Sequence, residues 1–105
     1  MSFAENLATL PPIPHLSRLE LVNGDAVVAV IENRPGSAGS VRVYAALASR
    51  YGRIDREAAE AGLLLYAEHT EDARHNPGKH PNIDRLFAIA KGGTPLRVIP
   101  IPAGN

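Results

Sequence analysis

Residues 56–75 read Arg-Glu-Ala-Ala-Glu-Ala-Gly-Leu-Leu-Leu-Tyr-Ala-Glu-His-Thr-Glu-Asp-Ala-Arg-His, and whether they coil or extend decides the fold class. Thr70 is the single β-branched residue in the stretch, and many of the others are good helix formers. Ala59, Leu63, Tyr66, Thr70 and Ala73 recur at helical spacing and make one stripe. The apolar run Leu63–Ala67 is also short enough to be a buried strand, which would turn the region into a βαβ unit. The helix is the better reading, because the stripe continues through Ala73 and a strand would leave Glu68–Arg74 without a role. Gly62 costs such a helix about 1 kcal/mol relative to Ala. Asp55 is placed to cap its start and Asn76-Pro77-Gly78 to stop it.

Upstream, Ser2 and Glu5 have the spacing of a capping box, opening a short helix over Phe3–Thr9 that Pro11-Pro12 ends. One or two turns are not stable alone in water, so Phe3 and Leu7 are expected to dock on the main body. From His15 the period becomes two. Leu19 and Leu21 alternate with Arg18 and Glu20, Asn23-Gly24-Asp25 supplies turn chemistry, and Ala26–Ile31 is apolar and mostly β-branched. This predicts a β-hairpin whose second strand is the more buried. After the loop Asn33–Gly39, Val41, Tyr44, Ala45, Ala48 and Tyr51 predict an amphipathic helix ended by Gly52.

Downstream, Pro81 and Asn82 start a helix with Ile83, Leu86, Phe87 and Ala90 on one face and Gly92-Gly93 at its end. Leu96–Ile101 is a last strand, and Pro95, Pro100 and Pro102 mark it as an edge or frayed strand. The order is short helix, hairpin, three helices, strand. The expected fold is therefore α+β: a small antiparallel or mixed sheet, the N-terminal hairpin plus the C-terminal strand, covered by about three helices. Whether the last strand joins the first or the second is left open. A length of 105 residues fits one domain.

Eleven Lys plus Arg balance eleven Asp plus Glu. A neutral chain has no broad positive field, so nucleic acid is not an expected partner. The longest apolar runs are far too short to span a bilayer, and the first fifteen residues carry no basic start for a secretory signal. No membrane partner and a cytoplasmic location are expected. Zero cysteines removes disulfides, thiolate catalysis and Cys-zinc sites, and no serine sits in a nucleophile elbow. Whether the protein is an enzyme is left open.

Two polar segments are candidates for chemistry. In the first, Glu68, Asp72 and His75 project from one helical face, with His80 on the following loop. Two carboxylates and two imidazoles are a donor set for a divalent metal with an open position. The simpler reading is a solvated, charge-rich helix end, with Arg74 paired to Glu71 and His69 a hydrogen-bonded packing residue. In the second, Arg34-Pro35-Gly36-Ser37-Ala38-Gly39-Ser40 runs from a strand into a helix start, where free N–H groups suit phosphate or carboxylate. The candidate ligand-binding residues are Arg34, Gly36, Ser37, Gly39 and Ser40. Lacking the Lys of a P-loop and the dinucleotide fingerprint, this segment also reads as Ser37 or Ser40 capping the helix.

Leu63, Leu64 and Leu65 are consecutive, and one narrow helix face buries at most part of such a run. Leu64 or Leu65 is left over as a self-association surface. The function expected on these grounds is a non-catalytic binding or regulatory module, homodimeric, with an unknown protein or small-molecule partner and no obligatory cofactor. The alternative is a metal- or anion-binding protein, or a minor enzyme, using the Glu68–His80 segment.

The wording of Asn33–Tyr44, Ala58–Leu63, Ala67–His69 and Pro77–Asp84, with the opening Asn6–Pro11, resembles a family of short proteobacterial proteins known as a domain of unknown function. The resemblance spans nearly the whole chain. It implies a bacterial, cytoplasmic, stand-alone domain and brings no site residue with it.

Overall fold

The hairpin forms as its turn chemistry requires. Strand β1 (Leu16–Asn23) and strand β2 (Ala26–Glu32) are antiparallel around the two-residue loop Gly24-Asp25, where Gly24 takes φ 61°. The computed structural model describes residues 1–104. Strand β3 (Arg97–Pro102) pairs antiparallel with β1, giving a three-stranded sheet in the order β2-β1-β3. The open question of the last strand is thereby answered in favour of the first.

The sheet corrects one expectation. β1, not β2, is the buried strand of the hairpin: Leu19 and Leu21 are fully buried, whereas Val27, Val28 and Val30 remain 52%, 53% and 45% exposed. A central strand has a neighbour on each side, whereas β2 is an edge. Only its inner row, Ile31 opposite Leu19, reaches the core beneath the helices. Val30 pairs across from Glu20 on the other, uncovered face, and the register break between Leu21 and Val22 leaves Val28 without a partner.

Among the described residues, five helices complete the fold. Helix α1 (Phe3–Ala8) carries the expected capping box: the Glu5 N–H donates to Ser2 Oγ, and the Ser2 N–H to Glu5 Oε1. Four hydrogen bonds dock this otherwise marginal helix and the turn after it. The Phe3 N–H donates to Glu68 Oε1 at 2.8 Å, Asn6 Nδ2 to the Leu65 carbonyl, and the Arg42 guanidinium to the carbonyls of Leu7 and Leu10. Helix α2 (Ala38–Tyr51) buries Val41, Val43, Tyr44 and Leu47 and ends at Gly52, whose φ of 84° suits the left-handed cap.

The predicted helix 56–75 is two helices, α3 (Arg56–Tyr66) and α4 (Glu68–His75), so four helices rather than three lie between the hairpin and β3. Asp55 caps the first through the Ala58 N–H, as expected. Ala67 breaks the run at φ 52°, ψ −115°, and the Thr70 hydroxyl takes the Leu63 carbonyl at 2.6 Å. A side-chain donor thus satisfies a carbonyl at the α3 end, and the chain turns without stranding a buried acceptor. Ala59, Tyr66, Thr70 and Ala73 are still buried, so the stripe survives the break.

Helix α5 (Pro81–Ala90) begins with Pro at its first turn and buries Ile83, Leu86 and Ile89, while Phe87 and Ala90 are half-buried. It packs on α3, where Gly62 lets the helices approach: a Cβ there would lie 2.7 Å from Leu86 Cδ1 and 2.9 Å from Leu47 Cδ1. The helix-propensity cost of Gly62 therefore has a packing return.

Candidate functional site

The two polar segments, some thirty residues apart in sequence, meet across one open cleft of about 430 Å³. That volume lies within the range of small-molecule sites. One wall is α1, through Phe3 and Leu7. A second is the loop and first turn of α2, through Gly36, Ala38, Gly39 and Ser40. Tyr66 and His69 come from the α3–α4 junction, and Lys79, His80, Pro81, Asn82 and Ile83 from the turn into α5.

Close packing explains the position of each wall. A Cβ on Gly39 would come within 3.2 Å of the Phe3 ring and 3.4 Å of Leu7, so the missing side chain lets α1 rest closely against α2. Phe3 stacks on Tyr66 with ring centroids 5.2 Å apart, and meets His69 edge-on at 5.0 Å. The His69 and His80 rings lie 5.8 Å apart, tilted by 49°. The break at Ala67 carries His69 and Asp72 round to this side of the molecule on their own short helix.

The polar groups are set in order. Burial pushes the Tyr66 hydroxyl far above the ordinary phenol range, so it stays protonated and donates to Ser40 Oγ at 2.6 Å. Ser40 then keeps its own proton to give elsewhere. Tyr44 is likewise pushed up by burial, to about 12, and donates to the Asn82 carbonyl beneath the cleft. Asp72 Oδ2 lies 2.6 Å from His80 Nε2 and 2.9 Å from Lys79 Nζ. Those two partners, His80 first, hold the Asp72 carboxyl down at about 2. An ionised carboxylate accepts only, so the His80 proton sits on Nε2 and Nδ1 is the nitrogen left over.

Of the residues singled out from the sequence, Gly36, Gly39, Ser40 and His80 line the cleft, and Asp72 stands directly behind it. Arg34 is exposed and outside the lining, although its carbonyl receives the N–H groups of Ser37 and Ala38. Ser37 occupies the N-cap position of α2 but does not cap it; its hydroxyl donates to the Glu32 carbonyl instead. Glu68 is taken up by the start of α1, and its carboxyl is lowered first by the Phe3 N–H. His75 is exposed at the end of α4. Asp72 and His80 thus come together while Glu68 and His75 point elsewhere, and among the described residues no three His, Cys, Asp or Glu side chains are arranged to hold a metal ion. Arg74 pairs with Glu71 as expected. His69 is half-buried and packs on Phe3. Sequence reasoning missed Phe3, Tyr66 and Lys79 as cleft residues, since nothing in their spacing joins them to Ser40.

No helix among the described residues is long and apolar enough to cross a membrane. The fold and cleft define a small α+β domain in which α2 packs on a three-stranded sheet, the other helices gather around α2 and α3, and a cleft opens between α1, α2 and the turn into α5. The chain belongs to DUF2322, a family described as an uncharacterised protein conserved in bacteria, whose model matches residues 3–100. No curated protein and no solved structure matches it.

Proposed function

We propose that the protein is a non-catalytic binding module of the bacterial cytoplasm, holding a small molecule in the cleft between α1, α2 and α5. The observation that carries this reading is the convergence of both polar segments on one cavity with an aromatic wall. Small-molecule sites have this character: a mostly apolar concavity with a few oriented polar groups. Protein-observed NMR, mapping amide shifts against a small-molecule library, tests it. Binders should shift the amides of Ser40, His69 and His80 and be lost in Ala38→Trp, which fills the cavity. Shifts elsewhere, or binders indifferent to Ala38→Trp, would overturn it.

Self-association is the second part of the proposal, and β2 supports it more directly than the leucine run does. Leu64 is 80% exposed, but alone. Val27, Val28 and Val30 stand together on an edge strand with no proline and its one charge, Glu32, at the far end, whereas the opposite edge, β3, carries Pro100 and Pro102. Native mass spectrometry of the wild type should give a dimer and Val28→Lys a monomer. A wild-type monomer at tens of micromolar would end this part.

A further inference from the structure

We infer that the cleft takes a small organic anion with a flat apolar body, its acidic head between Lys79, His80 and Ser40. This rests on the small-molecule reading above and adds the ligand's chemistry. The lining is one-sided in charge. It holds an ammonium, two imidazoles and a hydroxyl with a proton to donate, and it includes no Asp or Glu. Asp72, behind the lining, is spent on orienting: a single oxygen fixes both His80 Nε2 and Lys79 Nζ. Lys79 keeps two further N–H donors, and His80, held through Nε2, stands beside it with Nδ1 not engaged by Asp72. A ligand with a cationic head would find no carboxylate in this lining, while a carboxylate or phosphate finds charged and neutral donors.

The body of the ligand follows from the aromatic part of the lining. The edge-on contact of Phe3 with His69, continued by the tilted His80 ring, makes an aromatic surface beside those donors. A planar apolar group lies against such a surface more favourably than a branched one.

Four probes separate the parts: phenyl phosphate, benzoate, benzyl alcohol and inorganic phosphate, titrated by amide shift perturbation. One of the two aryl anions should bind at the cleft at least about tenfold more tightly than benzyl alcohol, the scale of one charge-assisted hydrogen bond. Whichever leads supports the inference and identifies the head group. Lys79→Ala, at an exposed turn, should remove most of that margin with an unchanged circular dichroism spectrum, and Ser40→Ala part of it. Benzyl alcohol binding the cleft as well as either anion would overturn the anionic head while leaving the binding module standing. Inorganic phosphate matching phenyl phosphate would overturn the flat body. No probe reaching the cleft would overturn this inference together with the reading on which it rests.

Discussion

His80 Nε2 and Lys79 Nζ share one oxygen of Asp72, at 2.6 and 2.9 Å, so a single carboxylate on α4 orders the whole turn that leads into α5. Asn76 Nδ2 adds a bond to the other oxygen of the same carboxylate, and the Gly78 N–H bonds Asp84. The turn is thus held at both ends by acidic side chains.

The carboxyl of Asp72 is lowered from 3.8 to about 2 in the folded state, first by His80 and then by Lys79. A group with a depressed folded pKa contributes stability above its unfolded value and loses the contribution as pH falls through the folded one. The Asp72 contribution is therefore complete at neutral pH and disappears between about pH 4 and pH 2. Asp72→Asn should unfold at lower urea than wild type at pH 7, and the two midpoints should converge as the pH drops through that window. High salt should narrow the gap, because the pairs reach solvent.

Ala67 sits at φ 52°, ψ −115°, the one positive-φ non-glycine among the described residues. That backbone costs an L-residue about 1–3 kcal/mol. Gly relieves it but gains about 0.4–1 kcal/mol of unfolded-state entropy. Ala67→Gly should be more stable than wild type by about 1 kcal/mol, read from the urea midpoint at constant slope.

Gly62→Ala should act in the other direction. Helix propensity alone favours Ala by about 1 kcal/mol. The added methyl, however, meets Leu86 and Leu47 well inside contact distance, and both are buried. Overpacking of this kind costs about 1–3 kcal/mol, so a net loss near 1 kcal/mol is expected in chemical unfolding. A gain would mean that α3 and α5 can separate freely.

Arg42 ties the N-terminal arm to α2 through the Leu7 and Leu10 carbonyls, at 2.7 and 2.6 Å. Arg42→Met keeps the aliphatic stem and removes both bonds. Amide exchange over residues 3–10 should accelerate by about tenfold or more, as the loss of two charged hydrogen bonds implies. Protection in β1 should be unchanged. Because Phe3 and Leu7 form a cleft wall, probe binding should weaken in the same variant.

Local chemistry made much of this protein legible before its fold was known. The Ser2–Glu5 capping box, the Asp55 cap, the Gly52 stop, the Pro81 start and the Asn23-Gly24 turn all act within four residues of themselves, and each formed where its neighbours dictate. The α+β class followed from those elements, because periods of two and 3.6 are properties of short windows. Contacts between distant segments decided the rest. The burial of β1 over β2 depended on which strand β3 would join, and no residue in the hairpin encodes that choice. The break at Ala67 left the apolar stripe intact, so it was invisible to periodicity and required the Thr70 hydroxyl to find the Leu63 carbonyl. The cleft is the clearest case. Ser40 and His80 were both marked by their chemistry, but their nearness is made by Phe3 stacking on Tyr66 and by α1 resting on Gly39. A sequence states which groups a chain carries and what each does to its neighbours, whereas packing among remote segments decides which of them face the same space.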